Sequence, residues 1–134
     1  TKIEAELIVG ADGKNSIVRK FAEIETYDHN YLQCAIILDI KHQLNHGGAA
    51  IENFMPNGPF AVLPKKGGYE SAIVWTVESD MRDTILSLPK EVIHDVLSEK
   101  FDGMCGEFSI ISDLKAFPLA LKQAKKYYNK NTAD

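Results

Sequence analysis

The chain has 134 residues, enough for one hydrophobic core, with an ordinary 45% hydrophobic and 25% charged residues. Its formal net charge of −4 argues against a nucleic-acid partner, which would have to be held by neutralising a phosphate backbone. No run approaches the ~20 consecutive apolar residues that a membrane-spanning helix needs.

In chain order, Leu7, Ile8 and Val9 form a short apolar run that predicts a strand over Ile3–Val9. Gly10 to Gly13 turn the backbone, and Asn15 or Ser16 caps a helix that reaches about Ile24. Ile17, Val18 and Phe21 are its expected buried side. Glu23, Glu25 and Asp28 form a polar connection. In Tyr31–Lys41, Leu32, Cys34, Ile36, Leu38 and Ile40 alternate onto one face, which predicts a half-buried strand. A turn at Asn45–Gly48 leads to a second strand, Ala49–Met55. Pro56-Asn57-Gly58-Pro59 breaks it, Phe60–Pro64 is a third, and Lys65–Gly68 turns the chain again. Tyr69–Glu78 is a fourth strand, with Tyr69, Ser71, Ile73, Trp75 and Val77 on one face. Short turns between closely spaced strands imply an antiparallel meander.

Ser79 or Asp80 is expected to cap a helix to about Leu88, and Pro89 interrupts it and starts another. Val92, Ile93, Val96, Leu97 and Phe101 make the apolar stripe of that next helix. Asp102–Gly106 closes it, Glu107–Ala116 returns to a strand, and Phe117–Gln123 continues or pairs beside it. The expected fold class is α+β, an antiparallel sheet with helices packed on one face.

A strand, a glycine turn with one carboxylate and a helix start suit a phosphate- or ribose-bearing ligand, but a plain β–turn–α joint uses the same residues. Asp12 can equally bond to backbone N–H groups of its own turn, and Arg19 can equally be a solvated helix charge. Cys34 reads as a small buried hydrophobe and Cys105 as a turn residue; neither has metal spacing, and a disulfide needs the fold to bring them together. His42 and His46 are four apart but have no third ligand near in sequence, so no metal site is assigned; His29 and His94 read as solvent-facing. Lys122, Lys125, Lys126 and Lys130 read as a solvated terminal segment, or as a basic patch facing an anionic membrane.

The order Gly10-Ala11-Asp12-Gly13, then Ser16 and Arg19, resembles the "DG" fingerprint of FAD-dependent aromatic hydroxylases, the single-component flavoprotein monooxygenases. Phe54-Met55-Pro56-Asn57-Gly58-Pro59-Phe60-Ala61-Val62-Leu63-Pro64 looks like the substrate-domain signature of the ubiquinone-biosynthesis branch. Ser71-Ala72-Ile73-Val74-Trp75 and Phe117-Pro118-Leu119 stand where that family would place them. The Gly-x-Gly-x-x-Gly turn that receives the FAD pyrophosphate is not in this sequence, nor is the family's Gly-Asp motif. The resemblance therefore implies a middle segment of a longer enzyme. Residues 1–24 would be a remnant strand–turn–helix of the FAD domain, 25–124 the substrate-binding domain, and 125–134 a segment leading toward the Gly-Asp motif.

The resemblance further implies that Gly10, Asp12, Gly13 and Arg19 face FAD, and that Phe54, Gly58, Pro59, Phe60 and Trp75 line the ring-binding cavity. It assigns no catalytic residue, because FAD and NAD(P)H carry the chemistry while the protein positions the ring and excludes water. The implied substrate is a polyprenylated phenol, and the implied setting is cytoplasmic, with peripheral contact to a membrane. The chain alone is expected neither to hydroxylate nor to hold FAD tightly, and Ile3–Val9 is an unpaired strand open to association. Two other readings stay open: a non-catalytic binding or assembly module from a shortened gene, and part of another flavin oxidoreductase such as a prenyl reductase.

Overall fold

The computed structural model describes residues 2–129 and 132–133. Thirteen short elements build it. The strands are β1 (Ile8–Val9), β2 (Thr26–His42), β3 (Ile51–Met55), β4 (Gly58–Pro64), β5 (Glu70–Glu78), β6 (Phe108–Ile110), β7 (Lys115–Ala124), β8 (Tyr128–Asn129) and β9 (Thr132–Ala133). The helices are α1 (Ile17–Phe21), α2 (Arg82–Ser87), preceded by a 3-10 turn at Ser79–Met81, and α3 (Lys90–Phe101). The α+β class holds, and the chain divides into two units, residues 1–31 with 120–134 and residues 32–119. These limits differ from 1–24, 25–124 and 125–134, because the division falls inside β2 and β7 rather than in a polar connection.

Residues 32–119 contain an antiparallel sheet in the order β3-β4-β5-β2-β6. β3, β4 and β5 form the expected meander, but β2, first in sequence, lies between β5 and β6. The register sets Ile36 opposite Trp75, Leu38 opposite Ile73 and Phe60 opposite Trp75. Directly opposed residues share a face. Cys34, Ile36, Leu38, Ile40, Phe60, Val62, Ile73 and Val77 therefore make one buried face. It is covered by Ile85 of α2 and by Ile93, Leu97 and Phe101 of α3. The helical stripe is thus largely as expected, although Val92 is left exposed. α2 begins without a side-chain cap, so neither Ser79 nor Asp80 does the capping.

β2 is longer than the expected strand, 17 residues, and its alternation fails at one point. Leu32 has φ +54° and is 70% exposed, whereas Cys34, Ile36, Leu38 and Ile40 are buried. A leucine in the left-handed region breaks the pleat, so its side chain leaves the face that the pattern assigned to it.

In the other unit, β1 covers only Ile8–Val9 of the expected Ile3–Val9 and pairs in parallel with β9, which pairs with β8. Ser16 caps α1, its Oγ accepting from the Arg19 N–H at 2.9 Å. α1 is five residues long; of its expected buried side Val18 is half-buried, but Ile17 and Phe21 are exposed and Arg19 is buried instead. The end of β7 runs beside the start of β2, with the Lys125 N–H donating to the Glu25 carbonyl at 2.8 Å. Lys125 pairs with Glu25 at 2.7 Å and Lys122 with Asp28 at 3.0 Å, so these lysines are ion-paired rather than simply solvated. Lys130 lies outside the described residues.

Candidate functional site

The glycine turn is organised by one carboxylate. Asp12 Oδ2 accepts from the backbone N–H of Ile17 at 2.6 Å and of Val18 at 3.4 Å, which satisfies two otherwise orphaned donors of α1. Hydrogen bonding from the Ser16 side chain, then from the Ile17 N–H, holds the Asp12 carboxyl below its ordinary range. Ser16 is therefore a joint, linked to both Asp12 and the Arg19 N–H. The local-bond reading of Asp12 is correct, and the carboxylate nonetheless stays exposed at the surface. Gly13 has φ +83°, and a Cβ there would meet nothing within 4 Å. Glycine is needed for the conformation, not for space, and the turn is open to a neighbour. An open glycine backbone beside an exposed carboxylate fits the polar edge of a nucleotide cofactor such as FAD. Gly10, half-buried, precedes it.

Arg19 is neither a solvated charge nor extended toward solvent. It is 8% exposed, and its Nη2 donates to the Lys14 carbonyl at 2.6 Å, closing the turn from behind. Its charge also helps hold Asp28 low, after the larger effect of the Lys122 hydrogen bond.

The five expected cavity residues do not share one surface. Phe60 is 1% exposed and packs edge-on against Phe101 of α3, ring centroids 5.6 Å apart. Trp75, opposite it across β4 and β5, is half-buried on the same helix-covered face. Phe54 and Pro59 oppose each other on the other face of the sheet, where Phe54 is 84% exposed. Leu63 is exposed on that face too, with Ala61 and Val74 half-buried. Gly58, at φ +112°, starts β4 where a Cβ would come within 3.0 Å of Thr76 Cγ2, so a side chain is excluded there.

Sequence reasoning missed Lys100. Its Nζ lies 5.7 Å from the centre of the Phe60 ring and 5.2 Å from that of Trp75. The signal was available, since Lys100 stands three residues after Leu97 and beside Phe101, on the edge of the apolar stripe. Two of the histidines have structural partners. His42 is buried, with Nδ1 2.7 Å from the Leu44 carbonyl and Nε2 2.9 Å from Ser71 Oγ. His94 is half-buried and stacks on Phe108 at 4.3 Å, not solvent-facing as expected. Cys34 and Cys105 are both free and buried, and burial raises both thiols. Among the described residues no group of three His, Cys, Asp or Glu side chains could hold a metal, and no helix is long and apolar enough to cross a membrane.

No protein-family model matches the chain. It is 37% identical over 131 residues to the ubiquinone hydroxylase UbiL of Rhodospirillum rubrum, which covers 98% of this chain and 30% of the relative. It is 36% identical over 101 residues to the mitochondrial ubiquinone biosynthesis monooxygenase COQ6 of Schizosaccharomyces pombe, 75% of this chain and 21% of the relative. The chain thus spans less than a third of the length of these curated relatives. Among solved structures, the flavin-dependent halogenase CmlS matches 99% of this chain and 25% of its own with a TM-score of 0.72 at 11% identity. The flavin-dependent monooxygenase PieE matches 95% of this chain and 23% of its own with a TM-score of 0.64 at 12% identity. At those identities the structural likeness speaks for the fold. Its sequence places this chain in the FAD-dependent aromatic hydroxylase family, in its ubiquinone-biosynthesis branch, matching one segment of those longer relatives.

Proposed function

We propose that this chain is the substrate-side segment of a FAD- and NAD(P)H-dependent monooxygenase that hydroxylates the aromatic ring of a polyprenylated phenol in ubiquinone biosynthesis. The observation that carries the reading is the similarity to a ubiquinone hydroxylase along 98% of the chain, with the Asp12 turn open and its carboxylate exposed. In the whole enzyme, FAD would supply oxygen activation and transfer. Gly10, Asp12 and Gly13 would hold the polar edge of that cofactor. Arg19 would act from behind, since its bond to the Lys14 carbonyl fixes the turn's shape. The open sheet face around Phe54, Pro59 and Leu63 would receive the ring and keep water from it. Phe60 and Trp75 would support that face from beneath, because they lie on its helix-covered side. The setting we assign is cytoplasmic with peripheral membrane contact, suited to a prenylated substrate.

The test is a chimera. The corresponding segment of the Rhodospirillum rubrum ubiquinone hydroxylase is replaced by this chain and returned to a strain lacking that hydroxylase. Restored ubiquinone synthesis, lost together with FAD content on Asp12→Ala, is the expected result. A folded, FAD-loaded chimera that makes no ubiquinone overturns the substrate assignment. Unchanged FAD retention in Asp12→Ala overturns the role of the turn. The isolated 134-residue chain is expected not to hold FAD tightly, and micromolar or tighter binding in a flavin titration would overturn that expectation.

A further inference from the structure

On the helix-covered side of residues 32–119, a cleft of about 360 Å³ is lined by Asn57, Trp75, Val77, Met81, Ile85 and Lys100, among others. It lies at the low end of the roughly 300–1,000 Å³ range of small-molecule sites. Its walls come from five places in the chain: the β3–β4 turn, β5, the 3-10 turn, α2 and α3. Val77 and Ile85 are buried and Trp75 is half-buried, while Met81 stands exposed among them. The walls thus combine an apolar part, Trp75, Val77, Met81 and Ile85, with polar Asn57 and Thr76, the Glu78 carboxylate and one cation.

That cation is in an unusual position. Lys100 is half-buried, with Nζ over the Phe60 and Trp75 rings and 3.8 Å from Met55 Sδ. Aromatic faces and a thioether attract an ammonium only weakly. Among the described residues Lys100 forms no ion pair and no hydrogen bond to oxygen. An ammonium has three donors, and a partly buried one is stabilised most by an anion that accepts them. Asn57, in the rigid Pro56-Asn57-Gly58-Pro59 turn, adds an amide to the same cleft. Glu78 also borders it but is exposed, where solvent and salt screen its charge.

We infer that this cleft binds a small amphipathic carboxylate, its head on Lys100 Nζ and the Asn57 amide and its apolar body against Val77, Met81 and Ile85. The site shares no residue with the Asp12 turn and lies on the other side of its sheet from Phe54 and Pro59, and it stands whether or not the flavin reading does. The chain contains a single tryptophan, and it lines this cleft, so its fluorescence reports directly on occupancy.

The experiment titrates the full chain with hexanoate, with 1-hexanol as the uncharged control. It follows Trp75 emission and the single indole N–H cross-peak in a ¹H–¹⁵N spectrum. Saturable change with hexanoate is expected, with hexanol about tenfold weaker, the usual scale for one charge-assisted hydrogen bond. Lys100→Met keeps the stem and removes the charge. It is expected to reduce hexanoate affinity about tenfold and to leave hexanol unchanged. Far-UV circular dichroism establishes that the variant is folded, and Lys100→Arg serves as the folded, charged comparison should Lys100→Met fail. Two results overturn the inference. One is no saturable response of either signal to hexanoate at about 10 mM, beyond even a weak millimolar affinity. The other is hexanol binding as well as hexanoate, or Lys100→Met, or where that variant fails Lys100→Arg, binding hexanoate no differently from hexanol; either would mean an apolar groove that does not read charge.

Discussion

At the scale of single residues, the Asp12–Ser16–Arg19 joint governs the glycine turn. The carboxylate's folded pKa is depressed, chiefly through Ser16 and next through the Ile17 N–H. A group shifted downward stabilises the fold fully above its unfolded value, and that contribution disappears as pH falls through the folded value. The window therefore opens near pH 4, the ordinary carboxylate value, and extends downward. Glu25 and Asp28, lowered by Lys125 and Lys122, act in the same direction and the same window. In ¹H–¹⁵N spectra the Ile17 amide should report the Asp12 titration, with its midpoint below the usual carboxylate range. Ser16→Ala should move that midpoint up, because it removes the largest cause of the shift. An Ile17 midpoint at the ordinary value, unmoved by Ser16→Ala, would mean that Asp12 does not cap α1. Asp12 and Ser16 could be named from the sequence, since a carboxylate and a hydroxyl before a helix start are capping residues. The burial of Arg19 could not, because residue type assigns a charge to solvent and only the fold supplies the Lys14 carbonyl.

At the scale of elements, period decided what could be read. In β5 and the buried stretch of β2 the larger core side chains recur at every second residue, although Ala35 and Thr76 are buried between them, and α3 carries Ile93, Leu97 and Phe101 at helical spacing, so all three are legible. α1 is too short for a period to define a face, and its apolar residues were assigned inward when Ile17 and Phe21 point out. The five expected cavity residues divide between the two faces of the sheet for a related reason. Adjacent strand residues alternate faces, so Pro59 and Phe60 could never line one surface. That argument was available in the sequence, and only the register of β3 against β4 placed Phe54 with Pro59. α3 provides the test of which face is buried. Leu97, fully buried, should cost about 2–5 kcal/mol on substitution by Ala. Val92→Ala, on the exposed flank, should stay within roughly 0.5 kcal/mol. Urea unfolding of the two variants measures both, and equal losses would contradict the helix orientation described here.

At the scale of the whole molecule, apolar burial is unevenly divided. Among the described residues, every buried hydrophobic side chain except Ile24 lies within residues 32–119. In residues 1–31 and 120–133, Leu7, Ile8, Val9, Ile17, Phe21, Tyr127 and Tyr128 are all exposed. That unit holds its backbone through the paired ends of β2 and β7, two-residue strands, the Asp12 cap and the Lys122 and Lys125 ion pairs. Exposed ion pairs contribute about 0–1 kcal/mol each, which offsets little of the roughly 1–2 kcal/mol per residue lost in fixing a backbone. The sequence contained this asymmetry only in part, because the apolar run before Gly10 reads as core when no partner for it is visible. Local stability should follow burial. Under hydrogen–deuterium exchange, amides of β1, α1 and β8 should exchange through low-energy openings. Those of β2 from Cys34 onward, β5 and α3 should be protected up to global unfolding. A fragment of residues 32–119 should accordingly keep the near-ultraviolet dichroism of Trp75 and a cooperative urea transition. Uniform protection across the chain, together with an unfolded 32–119 fragment, would show instead that the apolar core depends on the short strands around the glycine turn.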